Sequence, residues 1–186
     1  MQEDIPMVEH KCGANGYCTV CGATFYKRTN ANGTENASGE YILFGEDPQS
    51  IKLGNVTITE PQDSRGYYLG SDGSYYAKVT GNPYESGFTF STGASVTKGT
   101  SYYFKVEPIK WRILSQNNGK ALILCESILI NHRYDDNSNN YANSEIRTWL
   151  NNQFYNAAFT ELQQAIIETT TVDNSARSTA FAIPFS

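Results

Sequence analysis

Lys110-Trp111-Arg112-Ile113-Leu114 and Ala121-Leu122-Ile123-Leu124-Cys125, held apart by a stretch that includes Gln116-Asn117-Asn118-Gly119, decide the fold class of this chain. Two apolar runs of strand length with turn residues between them predict an antiparallel hairpin. Toward the N-terminus the pattern repeats in Tyr41-Ile42-Leu43-Phe44, Val56-Thr57-Ile58, Tyr67-Tyr68-Leu69, Tyr75-Tyr76-Ala77-Lys78-Val79, Phe88-Thr89-Phe90 and Tyr102-Tyr103-Phe104-Lys105-Val106. Each predicts a short strand, and Gly70-Ser71-Asp72-Gly73 predicts a hairpin turn between two of them. Past Asn131 the apolar spacing changes. Asn143 or Ser144 caps a helix in which Ile146, Trp149 and Leu150 recur at i, i+3 and i+4, with Phe154 four further on. Thr160-Glu161-Leu162-Gln163 has capping-box form and opens a second helix with Leu162, Ala165 and Ile166 on one face. The expected fold class is α+β: a β-rich antiparallel domain with two short helices near the C-terminus.

The composition supports one core of ordinary size in 186 residues. Charged residues are 18%, against roughly 25% in an average soluble domain, and 13 tyrosines and 15 glycines lean the chain toward strands and turns. With a formal net charge of −5 and its 14 Lys and Arg scattered, no basic stripe can neutralise phosphates, so nucleic acid is excluded as an expected partner. Polybasic attachment to a membrane is disfavoured on the same ground, and no apolar run approaches the roughly 18 residues that insertion requires. The opening Met1-Gln2-Glu3-Asp4 brings no basic start and no apolar region of a secretory signal.

Composition also divides the chain. Residues 1–26 hold three of the four cysteines and His10, residues 27–40 (KRTNANGTENASGE) have the polarity of a linker, and residues 41–186 form the β-rich domain.

The densest chemistry lies in His10-Lys11-Cys12 and Cys18-Thr19-Val20-Cys21-Gly22. The Cys18-x-x-Cys21-Gly22 half has the form of a zinc knuckle, in which both thiolates face one ion and the glycine lets backbone N–H groups approach sulfur. His10 and Cys12 complete a Cys3His set for one structural zinc ion, a closed shell with no position for a substrate. Two other readings stay open: a disulfide among Cys12, Cys18 and Cys21 with one thiol left over, or three unliganded cysteines. Zinc is preferred, because an odd local count suits disulfides poorly.

Elsewhere the plain readings prevail. Cys125 lies in an apolar run and reads as a buried, inert thiol, and His132 alone makes a weak catalytic partner for it. Asp135-Asp136-Asn137-Ser138-Asn139-Asn140 begins like a calcium loop, then places Asn140 where a glycine is needed and Ile146 where a bidentate Glu is needed. It reads as a solvated turn before the helix. Glu46, Asp47, Glu107 and Glu126 carry no partnering motif, and no G-x-S-x-G, P-loop or HExxH occurs. Tyr67, Tyr68, Tyr75 and Tyr76 could stack on sugar rings, but alternating aromatics more often pack a sheet. No catalytic residues are assigned, and the chain is read as a non-enzyme.

Several segments in order resemble an uncharacterised domain family of Gram-positive bacterial surface and exported proteins. They are Phe44-Gly45-Glu46-Asp47-Pro48-Gln49-Ser50, Gly66-Tyr67-Tyr68, Ser71-Asp72-Gly73, Tyr76-Ala77-Lys78-Val79, Tyr103 through Leu114 (YFKVEPIKWRIL), and Ser144-Glu145-Ile146-Arg147-Thr148-Trp149-Leu150-Asn151 with Phe154 and Ala158-Phe159. The resemblance covers residues 41 to about 174 and leaves the knuckle outside. It implies an accessory or binding module, secreted or on the cell surface, with a glycan or protein ligand, and a fold akin to C-type-lectin and sulfatase-modifying-factor-like domains. The alternative it carries is an enzyme related to formylglycine-generating oxidoreductases, which calls for a cysteine pair or metal triad in the core. Relatives continue past Ala180-Phe181-Ala182-Ile183-Pro184-Phe185-Ser186 with another strand, so the domain is expected to be truncated at its C-terminus. Trp111, Ile113, Ile146, Trp149, Leu150 and Phe154 are expected to pack the helices on the hairpin, and Arg147 to bridge to a carboxylate or backbone carbonyls.

Overall fold

In the computed structural model, which describes residues 10–59, 62–137 and 140–169, the strands are β1 (Lys27–Thr29), β2 (Tyr41–Ile51), β3 (Ile58–Thr59), β4 (Tyr68–Gly70), β5 (Tyr75–Thr80), β6 (Ser101–Asn117) and β7 (Lys120–Cys125). Helical structure comes next as a 3-10 turn at Tyr141–Asn143, α1 (Glu145–Trp149), a π turn at Leu150–Phe154, α2 (Tyr155–Ala158) and α3 (Glu161–Gln164). The architecture is β-rich and antiparallel with a short C-terminal helical region, as expected. Two units divide the chain: residues up to Gly45 with those from Ile109 onward, and Glu46–Pro108. β2 and β6 contribute residues to both.

In the first unit the sheet runs β1-β2-β6, with β7 on β6. The expected hairpin forms here, Trp111 opposite Cys125 and Asn117 opposite Lys120. Asn118 (φ 50°) and Gly119 (φ 75°) make its two-residue turn; positive φ at both positions matches the twist of the flanking strands. A bulge at Leu114 shifts the register between Ile113 and Ser115. Lys27–Thr29, within the stretch read as a linker, form β1 and pair with Leu43–Tyr41 of β2. Ile42, Phe44, Ile109, Ala158 and Phe159 form the core, ringed by Tyr26, Trp111, Ile113, Ile123, Cys125, Phe154, Ile166 and others. Gly45 (φ 73°) permits the contact between strand and helix: a Cβ there would lie 2.5 Å from the Phe159 ring. The Trp111 indole N–H donates to the Phe44 carbonyl at 2.7 Å, which satisfies the one polar atom of a half-buried ring.

Both helix starts obey their sequence signals. Ser144, fully buried, caps α1 by accepting from the Arg147 N–H, and Thr160 and Gln163 bond reciprocally in a capping box. Beyond each cap the chain departs from the expected regular helix. The π turn at Leu150–Phe154 inserts about one residue, roughly 100° of rotation, and Leu150, expected on the apolar face, is 36% exposed. The second helix is a single turn, although Ile166 still packs on the core.

In the second unit the order is β2-β6-β5-β4-β3. Gly70–Gly73 turns as expected, with Gly73 N–H on Gly70 O. The tyrosines alternate: Tyr68 and Tyr76 are buried and Tyr75 is exposed. Tyr76 donates to Asp72 Oδ2 at 2.8 Å and Tyr68 meets Tyr103 edge-on, so the first role of these rings is to pack the sheet. Three strand expectations are corrected. Val56-Thr57-Ile58 yields only Ile58–Thr59. Phe88–Phe90 makes a single bridge, Thr89 to Ser95, and the Phe90 ring lies edge-on to Tyr102 and Phe104. Tyr102–Val106 and Lys110–Leu114 are one strand of 17 residues. Pro108 offers no ladder donor, but the Gln49 side-chain amide donates to the carbonyls of Glu107 and Pro108.

Candidate metal centre

The chain from His10 to Tyr26 is a tight hairpin whose turns need glycine. Cys12 pairs with Cys18 in an antiparallel bridge and Tyr17 with Thr24. At Gly16 (φ 83°) a Cβ would meet the Tyr26 carbonyl oxygen at 2.3 Å, and Gly22 (φ 74°) ends the turn after Cys18, its N–H on Cys18 O at 3.0 Å. Any other residue at Gly16 would have to push the strands apart. Phe25, 1% exposed, anchors the hairpin, and its carbonyl accepts from Gln163 Nε2 at 3.0 Å.

This geometry brings three of the four expected ligands together. His10 Nδ1 lies 3.5 Å from Cys18 Sγ and 3.3 Å from Cys21 Sγ, and the ligand atoms of the three residues all fall within 4.8 Å of one another. The set can hold a metal ion. Cys18 is buried while Cys21 and His10 are exposed, so the site opens to solvent on one side. The Cys21 backbone N–H above all, with the His10 ring and the Val20 N–H at 3.4 Å, pulls the Cys18 thiol down to about 6 against the opposing effect of burial. A thiolate at neutral pH is the form that binds metal. Cys12 stands outside the group: its thiol points to Gly13 O at 3.5 Å, and burial followed by the Cys18 charge pushes its pKa up.

The other candidates resolve differently. Cys125 is half-buried against the core and donates to Ser127 O at 3.0 Å. His132 Nδ1 lies 2.7 Å from Arg133 O, and its ring stacks on Trp149 at 4.7 Å. In the acidic loop Asp135 accepts from the backbone N–H groups of Asn137 (2.7 Å) and Glu145 (3.1 Å), and Arg133 pairs with both Asp136 and Glu145. Asn139 lies outside the described residues, as does the segment Ala180–Ser186. Among the described residues, His10, Cys18 and Cys21 are the one group of three or more ligand-type side chains gathered for a metal.

Two features carried no sequence signal. An open cavity of about 320 Å³ lies among His132, Asn143, Glu145, Thr148, Trp149 and Gln153; no motif marks it, since loop and helix meet there only after folding. Asp47, half-buried on β2, is pushed up to about 6 by desolvation, which the neighbouring residue types do not reveal.

No curated protein and no solved structure matches the chain. The family model of a domain of unknown function (DUF6273) does match, over residues 118–184, from the turn between β6 and β7 through α1, α2 and α3. An uncharacterised domain family therefore accounts for the C-terminal part of the chain, and the His10, Cys18 and Cys21 group lies outside the match.

Proposed function

We propose that the chain is a non-catalytic accessory or binding module of a Gram-positive bacterial protein, secreted or displayed at the cell surface, with a structural zinc ion in its N-terminal hairpin. The ligand class that suits it is a glycan or a protein, and the resemblance carried by residues 41 to about 174 favours a fold akin to C-type-lectin and sulfatase-modifying-factor-like domains. The module reading rests on that resemblance; the domain family matched over residues 118–184 is one of unknown function.

The observation that carries the zinc reading is the spacing of His10, Cys18 and Cys21. A tetrahedral ion with bonds of about 2.3 Å to sulfur and about 2.0 Å to nitrogen places S and N about 3.5 Å apart; the two measured separations are 3.5 and 3.3 Å. Cys12 is the fourth ligand in this reading. It pairs directly with Cys18 across the hairpin, so both side chains leave the same face, and binding the ion would require its thiol to leave Gly13 O for another rotamer. Four protein ligands make a site that holds structure and leaves no position for a substrate.

Zinc content of protein purified without added metal, measured by mass spectrometry beside Cys18→Ser, tests this reading. About one equivalent in the parent and none in the variant is the expected result. No metal in either would end the zinc assignment. A screen of cell-wall and host glycans with no binding at millimolar concentration would remove the glycan form of the ligand proposal.

A further inference from the structure

We propose that Cys12 and Cys18 are a cross-strand disulfide site, and that forming this bond withdraws Cys18 from the metal and releases the ion. The two residues face each other in the bridge of the N-terminal hairpin. The hydrogen bonds around them, Gly13 N–H to Tyr17 O at 2.8 Å and Thr19 N–H to Lys11 O at 2.9 Å, lie on either side of the pair and not within it. This is the non-hydrogen-bonded type of antiparallel pair, whose Cα atoms stand about 4.5 Å apart with side chains on one face. That separation falls inside the range of roughly 4.4–6.8 Å that a disulfide spans without moving the backbone. Cys12 is exposed and Cys18 buried, which sets the order of events.

The oxidant is a small disulfide of the glutathione class, as found in an oxidising compartment. The Cys12 thiolate attacks it, forming a mixed disulfide and expelling one small thiolate. The Cys18 thiolate then attacks the Cys12 sulfur, forming the Cys12–Cys18 bond and expelling the second. Two protein thiolates give up two electrons to one small disulfide, which leaves as two small thiolates that take up protons from solvent. His10 and Cys21 remain as two ligands, too few for a closed site, and Cys21 regains a proton. The release of the ion rests on the zinc reading above, whereas the disulfide stands on the hairpin geometry alone.

The test treats the reduced full chain with oxidised glutathione, blocks remaining thiols with N-ethylmaleimide and maps linked peptides without reduction. Cleavage after Tyr17 parts Cys12 from Cys18 and Cys21, so a Cys12 link joins two peptides, and the maleimide marks the thiol left over. The expected product links Cys12 to Cys18 with the label on Cys21. In parallel, a zinc dye tracks metal release from the parent chain, which is expected to rise in step with the Cys12–Cys18 link as oxidised glutathione is added. A Cys18–Cys21 link, or three labelled cysteines, would overturn the proposal. A Cys12–Cys18 link in a chain that never holds zinc would sustain the disulfide and end only the zinc reading.

Discussion

The N-terminal hairpin and the loop that leads into α1 both carry dense runs of ligand-type residues, yet only the hairpin gathers them. In the hairpin, Cys18 and Cys21 both turn toward His10, with Nδ1 3.5 and 3.3 Å from the two sulfurs, and the N–H groups that reach Cys18 favour its thiolate, the form that binds metal. In the loop, the oxygens are already engaged. Asp135 holds the N–H groups of Asn137 and Glu145, and Asp136 is ion-paired with Arg133. Ligand spacing alone does not make a cation site; the side chains must be left without stronger local partners. Short carboxylates next to a helix start usually find such partners, and cysteines in a turn usually do not.

The largest expected effect falls on the hairpin. Replacing Cys18 with Ser should abolish metal content and lower the thermal midpoint by several degrees, while Asp135→Ala should leave metal content intact; equal losses would erase the contrast. The same cysteine sets a pH signature in metal-free protein. Its pKa is depressed from about 9 to about 6 on folding, so its contribution to stability is fully present above pH 9 and is lost as pH falls through 6. Denaturation midpoints measured from pH 5 to 9 should rise with pH in the parent and flatten in Cys18→Ser.

Next in size is Phe25→Ala, expected to cost about 3 kcal/mol in urea unfolding of the metal-free chain because the ring is 1% exposed. A cost near zero would mean that the hairpin is held by its ion alone and not by packing. Smaller again is Asp135→Asn, which weakens the acceptor for the Glu145 N–H at the start of α1 and should cost about 1 kcal/mol. Last, millimolar calcium should leave the thermal midpoint unchanged. A calcium-dependent rise that disappears in Asp135→Asn would break the comparison at its weaker end.

How far each region could be read before folding depends on the range of the signals. The turn at Asn118-Gly119, the cap at Ser144 and the capping box from Thr160 to Gln163 rest on residues within four positions of one another, and all three formed as expected. Leu150 misled because the α-helix gives way to a π turn at that residue, which the apolar spacing does not reveal, and its side chain is left exposed. The uninterrupted β6 was also hidden, since Pro108 reads as a strand breaker and the Gln49 side-chain amide that satisfies the carbonyls of Glu107 and Pro108 lies far away in the chain. At the candidate metal centre the ligand types and the Cys18-x-x-Cys21-Gly22 turn were legible, but the position of Cys12 outside the group was not.

By itself the amino-acid sequence determined the class of the fold, the hairpin between β6 and β7, the helix caps and the residue types from which a soft-metal group could form, because each rests on local conformational preference or on side-chain chemistry. Only the tertiary structure decided that His10, Cys18 and Cys21 converge, that Cys12 instead faces Cys18 across a strand pair, and that Asp135 is committed to the helix start. The first two depend on positive φ at Gly16 and Gly22 and on the burial of Phe25, and the third on the approach of the loop to the Glu145 N–H, all of which place side chains in space only once the chain has folded.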